Sequence, residues 1–136
     1  MKQLLLLLLG TVLTTGVYAG SDWKLYYENS SVKIYYSYTE CHDVANGLHQ
    51  EKVILKFENL TGQKQQITFS KLLKYSTGKE TSTDVDYQLV LNPGQVLEGD
   101  CDNRDKALYI FSKMLENPQS ILQKFDLKNI IVKPIE

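Results

Sequence analysis

At 136 residues, with 43% hydrophobic and 23% charged side chains, the chain is long enough for one packed core and too short for a separate catalytic domain beside it. Its 15 basic and 16 acidic side chains are nearly balanced, and the basic ones are scattered singly. They leave no electrostatic footprint for nucleic acid or for an anionic membrane surface.

The first residues read as an export leader. Lys2 supplies a short positive region, Leu4 to Leu9 with Val12 and Leu13 supply the apolar stretch, and Val17-Tyr18-Ala19 sets up cleavage after Ala19. A retained anchor fits less well, because Gly10, Thr11, Thr14, Thr15 and Gly16 interrupt a run short of the ~20 apolar residues a span needs. No cysteine follows the stretch to carry a lipid. The expected organisation is a signal peptide over 1–19 and a single β-sandwich domain over 20–136, with a secreted or periplasmic destination. Without the leader, 14 basic side chains face 16 acidic ones.

Along the chain, Trp23, Leu25 and Tyr27 alternate with Lys24 and Tyr26 as a first strand, followed by the polar turn Glu28-Asn29-Ser30-Ser31. Val32, Ile34, Tyr36 and Tyr38 then share one face of a second strand, and Val53, Leu55 and Phe57 one face of a third. Asn46-Gly47 between them tolerates positive φ, which predicts a long-looped antiparallel hairpin. After the turn Asn59 to Lys64, the residues Ile67, Phe69, Leu73 and Tyr75 keep one phase that Lys71 interrupts, as at a bulge or a sheet edge.

Ser76 to Thr83 has no apolar residue and reads as a solvated loop. Val85, Tyr87, Leu89 and Leu91 predict an inward face for a fifth strand, which Asn92-Pro93-Gly94 ends. Val96 to Glu98 makes a short strand. Ala107 to Phe111 is apolar on both faces, as a central strand is. Met114 to Leu122 reads as a loop or as one short helix from Pro118. Phe125, Leu127, Ile130 and Val132 form a last strand whose phase slips at Lys128-Asn129. Seven or eight short strands with regular turns predict an all-β antiparallel sandwich, immunoglobulin-like or a partly closed barrel.

The only two cysteines, in an exported chain, predict a Cys41–Cys101 disulfide. Cys41, His42, His49 and Cys101 match no zinc-ligand spacing. Asp100, Asp102, Asn103 and Asp105, with Glu98 before them, are a weak candidate for calcium, since Arg104 stands where an EF-hand needs a ligand. His42-Asp43 and His49 are the candidate acid-base groups of a small hydrolase, yet no GxSxG, HExxH or phosphate-cradling glycine loop accompanies them. No cofactor motif is present. Adjacent tyrosines in a strand must point opposite ways, so Tyr26, Tyr35 and Tyr109 are the candidate outward rings, suited to a glycan or a protein surface. Asn29-Ser30-Ser31 and Asn59-Leu60-Thr61 match the N-glycosylation sequon.

Three stretches, Glu58-Asn59-Leu60-Thr61, the segment Leu91 to Cys101 and Phe125 to Asn129, resemble motifs of small secreted proteins common in Bacteroidetes. The resemblance implies export and an all-β fold and brings no active site with it. Together these readings favour a binding or structural module over an enzyme.

Overall fold

A computed structural model describes residues 22–81 and 84–136. The leader expected over residues 1–19 lies outside the described residues, as do Ser82 and Thr83 of the polar loop.

The expected hairpin dominates the first sheet. Strands β1 (Lys24–Glu28), β2 (Val32–Asp43) and β3 (Leu48–Asn59) form an antiparallel meander. β2 and β3 pair along their whole length, from Val32 opposite Asn59 to Asp43 opposite Leu48. Only a 3-10 turn, Val44–Asn46, and Gly47 at φ +65° separate them. The loop is therefore tight rather than long. Thr39 to Asp43 and Leu48 to Lys52 carry little apolar pattern, but each supplies the other's ladder bonds.

β4 (Gln65–Tyr75) and β5 (Asp86–Leu91) form a second hairpin. β6 (Val96–Glu98) and β7 (Tyr109–Met114) return to share the free edge of β3, and β8 (Leu122–Pro134) pairs with β4. Over the described residues the result is an all-β sandwich of eight strands in two antiparallel sheets, one curled into a half-barrel. The order β1-β2-β3 with β6 and β7, facing β5-β4-β8, fits the partly closed alternative. Among the described residues there is no α-helix.

Between the sheets lie Val32, Ile34, Val53, Leu55 and Phe57 from one side, with Ile67, Phe69, Leu89, Leu91 and Leu127 from the other. Phe57 stacks on Phe69 at 5.6 Å and Phe69 on Tyr87 at 5.7 Å, so one aromatic column crosses the core. The Cys41–Cys101 disulfide is formed and ties the loop after β6 onto the outer face of the hairpin. That loop explains why Ile54, on the outward phase of β3, is buried. Gly99 makes the crossing possible: a Cβ there would stand 2.6 Å from the Leu108 carbonyl oxygen and 2.9 Å from Ile54 Cγ2.

Several local expectations change. Lys71 is not at a bulge; it stands one residue past Ser70, where the pairing of β4 with β5 ends. It lies on the central strand of its sheet, buried, with Nζ donating to the carbonyls of Lys106 and Tyr109 and standing 4.2 Å from the Tyr87 ring centre. The irregularity falls instead on β8, where Asn129 takes φ +54° at the expected phase slip. Ala107 to Phe111 is no central strand, since Lys106–Leu108 is a 3-10 turn and β7 pairs with β3 alone. Ala107 and Leu108 are apolar because that turn is buried. Met114 to Leu122 holds no helix. Val85, read as inward, is 57% exposed ahead of β5.

The three resemblance motifs join the parts of this fold. Asn59, 2% exposed, donates through Nδ2 to the carbonyls of Gln63 at 2.7 Å and Asn92 at 2.9 Å, and accepts from the Thr61 backbone N–H at 3.0 Å. It thereby locks the turn after β3 against the Asn92-Pro93-Gly94 turn, whose Gly94 N–H reaches Thr61 O. Such a side chain is an internal strut and presents no amide for glycosylation in the folded chain. Asn29, in the other sequon, accepts the N–H groups of Ser31 and Val32 at 2.8 Å each.

Candidate functional site

The outer face of the five-stranded sheet divides in two. One half lies under the disulfide loop. The other is open, and the pairing sets its rows: Leu25 stands opposite Tyr35, Tyr35 opposite Lys56 and Lys56 opposite Glu98. In the next row Lys33 faces Glu58 and Glu58 faces Val96. Lys56 Nζ sits 4.5 Å from the Trp23 ring centre and 4.7 Å from that of Tyr35, between two aromatic faces. The Tyr35 hydroxyl donates to Glu58 at 3.3 Å. Leu25 and Val96, each 51% exposed, flank the group. None of these side chains closes the core.

Tyr35 is thus outward, as its strand phase predicts. Tyr26 is not. β1 carries a register shift between Leu25 and Tyr27, and the extra residue is Tyr26. The bulge turns two successive tyrosines to the interior, where both pack on the core. The Tyr26 ring stacks on Phe125 at 5.7 Å, and its hydroxyl accepts the Leu127 N–H at 2.8 Å. Burial raises its pKa. Tyr26 is a closure between β1 and β8, and the residues outward in its place are Trp23 and Leu25, which strict alternation puts inside. Tyr109 is half-buried beneath Lys52, whose Nζ stands 4.7 Å from the ring centre and donates to Cys101 O at 3.2 Å. It belongs to the tie beneath the disulfide loop.

The histidines meet directly. His42 and His49 are opposite each other near the hairpin tip, with Nδ1 to Nδ1 at 2.8 Å. Asp43 does not orient them. It caps the turn, accepting Asn46 Nδ2 at 2.8 Å, and that side-chain hydrogen bond holds its carboxyl below the usual carboxylate range. Among the described residues neither imidazole is hydrogen-bonded to a serine or threonine hydroxyl. The cavity beside them, about 110 Å³, is lined by Cys41, His42, Asp43, Leu48 and Lys52 among others.

The acidic loop is equally occupied with its own backbone. Asp100 accepts the Asp102 N–H at 2.8 Å, and Asp105 accepts the Ala107 N–H at 2.9 Å. Asn103 accepts the Asp100 N–H. Among the described residues no three His, Cys, Asp or Glu side chains gather as a cation cage, and no helix is long and apolar enough to cross a membrane. The outward position of Trp23 was hidden from sequence reading by the bulge in β1, whereas Lys56 keeps the outward phase of β3 opposite Tyr35 that alternation gives it.

No family model, curated protein or solved structure matches the chain.

Proposed function

We propose that the chain is an exported, non-catalytic binding module, the export being what its resemblance to small secreted Bacteroidetes proteins implies, and that its open outer face is the binding surface. The observation that carries this reading is the Trp23-Lys56-Tyr35 stack, flanked by Leu25 and Val96, on a face that the fold itself leaves uncovered. A disulfide in a small domain fits a non-cytoplasmic protein. The partner is an extracytoplasmic protein. Apolar and aromatic side chains at the centre with Lys33, Glu58 and Glu98 around them are the composition of an interface, and Lys56 leaves at most one face of each ring for a sugar.

Trp23 is the only tryptophan, so its emission reports on this face alone. The untagged protein is exposed to envelope and extracellular fractions of its host and to a glycan panel, beside a Trp23→Ala/Tyr35→Ala variant. A protein retained by the wild type and lost by the variant, with Trp23 emission shifted on binding, is the expected result. Emission shifts with a glycan class alone would replace the protein partner by a sugar. A partner that binds both forms equally would overturn the assignment of the face.

A further inference from the structure

We infer that the tip of the β2–β3 hairpin is a two-histidine site for a late first-row divalent cation, Cu²⁺ before Zn²⁺ or Ni²⁺. His42 and His49 are directly paired residues of adjacent strands, so the two imidazoles project from the same face. Their Nδ1 atoms lie 2.8 Å apart and their ring centres 5.1 Å apart, tilted at 54°. At that separation one ring must donate and the other accept, and the same span fits two cis nitrogens each about 2.0 Å from one cation held off the line that joins them. Imidazole nitrogen is the preferred ligand of these ions.

Glu40 adds the second element. Its carboxylate lies 3.6 Å from His42 Nε2, the nitrogen facing away from His49. A carboxylate there favours the tautomer with hydrogen on Nε2 and leaves the Nδ1 lone pair free toward the cation. Glu40 stands opposite Glu51, two residues along the same face from the histidine pair, so both nearest acids on that face add negative charge. Glu51 is held by the Ser112 hydroxyl at 2.8 Å. The hairpin fixes the pair from below: Asp43 caps the turn, and the Leu115 N–H reaches His49 O at 2.9 Å. With two protein nitrogens, water fills the remaining positions. The cysteines take no part, being joined to each other.

The cation takes both Nδ1 lone pairs: the ring that donates in the pair moves its proton from Nδ1 to Nε2, so both imidazoles stay neutral and no proton is lost. The site is independent of the aromatic face assigned above and survives if that assignment fails. The test is calorimetric titration of the untagged protein with Cu²⁺, Zn²⁺, Ni²⁺ and Ca²⁺ at pH 7.5, repeated with His42→Ala, His49→Ala and Glu40→Gln. The Cu²⁺ form is also examined by electron paramagnetic resonance. We expect a single ion bound, coupling to two imidazole nitrogens, and no uptake of Ca²⁺. Either alanine variant should weaken binding by about tenfold or more, with Glu40→Gln weakening it less. Both rings are on the outer part of the hairpin, so melting temperatures without metal should match the wild type and exclude misfolding as the cause. Equal Cu²⁺ affinity in wild type and alanine variants, or a spectrum lacking two nitrogen couplings, would overturn the site.

Discussion

Tyr26 and Tyr35 come from adjacent strands, and each belongs to a Tyr-Tyr pair. Tyr26 is drawn inward by a single extra residue in β1, stacks on Phe125 and accepts a backbone N–H from the opposite sheet. Tyr35 remains outward with Lys56 over its ring and Glu58 on its hydroxyl. The same side chain is a seam in one place and a surface in the other. Register decides which, because one inserted residue reverses the face of everything on its far side.

The strongest way to break this contrast is to remove the tie that divides the outer face. Cys41→Ala/Cys101→Ala opens a bridge spanning 60 residues, and the chain-entropy treatment puts its loss at about 4 kcal/mol. The loop over Ile54 should lift, extending the open face toward the hairpin tip. Denaturant unfolding measures the loss, and faster amide exchange at Ile54 than at Val53 would locate it. Equal exchange at both would mean that the loop stays seated without its bridge.

Truncating the seam comes next. Tyr26→Ala removes a half-buried ring from between β1 and β8 and should cost roughly 2–3 kcal/mol, below the full Phe→Ala range because the site is open to one side. Tyr26→Phe keeps the ring and orphans the Leu127 N–H, for about 1 kcal/mol. If the two variants were equally destabilised, the hydroxyl and not the ring would be what closes the sandwich.

Titration sharpens the contrast from another side. Burial lowers Lys71 from 10.5 to about 8. Below pH 8 the ammonium is charged in both folded and unfolded chains, and the folded state bears its desolvation. Between about pH 8 and 10.5 the unfolded chain binds the proton and the folded one does not, so stability should rise, by roughly 2–3 kcal/mol at most. Tyr26 acts oppositely: its raised pKa means that the unfolded tyrosine ionises first above pH 10, and stability falls. A maximum near pH 10 in chemical denaturation, with its rising limb lost in Lys71→Met, is the expected profile. A flat profile in the wild type would show that the Lys71 amine is solvated.

Much of the fold was legible because its signals are local. Strand periodicity, Asn46-Gly47, Asn92-Pro93-Gly94 and the slip at Lys128-Asn129 each state a backbone preference that nothing distant overrides. The disulfide was legible from cysteine number. What escaped depends on contacts far apart in the chain. Lys71 is inward because the carbonyls of Lys106 and Tyr109, more than thirty residues on, receive its ammonium. Tyr26 is inward because Phe125 and Leu127 wait across the sandwich. The His42–His49 pair needed the full ladder of β2 and β3, and the polar strand ends around it gave periodicity nothing to read.

The smallest effect is also the one that separates surface from seam. Tyr35→Ala should change stability by no more than about 1 kcal/mol, as for a half-buried side chain outside the core. The residue loses only a 3.3 Å hydroxyl contact and a solvent-facing cation–π partner, each weak where water competes. Lys56 then keeps Trp23, so Trp23 emission should shift while the melting temperature falls little. Near-equal melting with altered emission is what a face kept for a partner predicts. A loss as large as that of Tyr26→Ala would instead make the Trp23-Lys56-Tyr35 stack a second seam, holding β1 onto β2 and β3, and would remove the reason to regard that face as a binding surface.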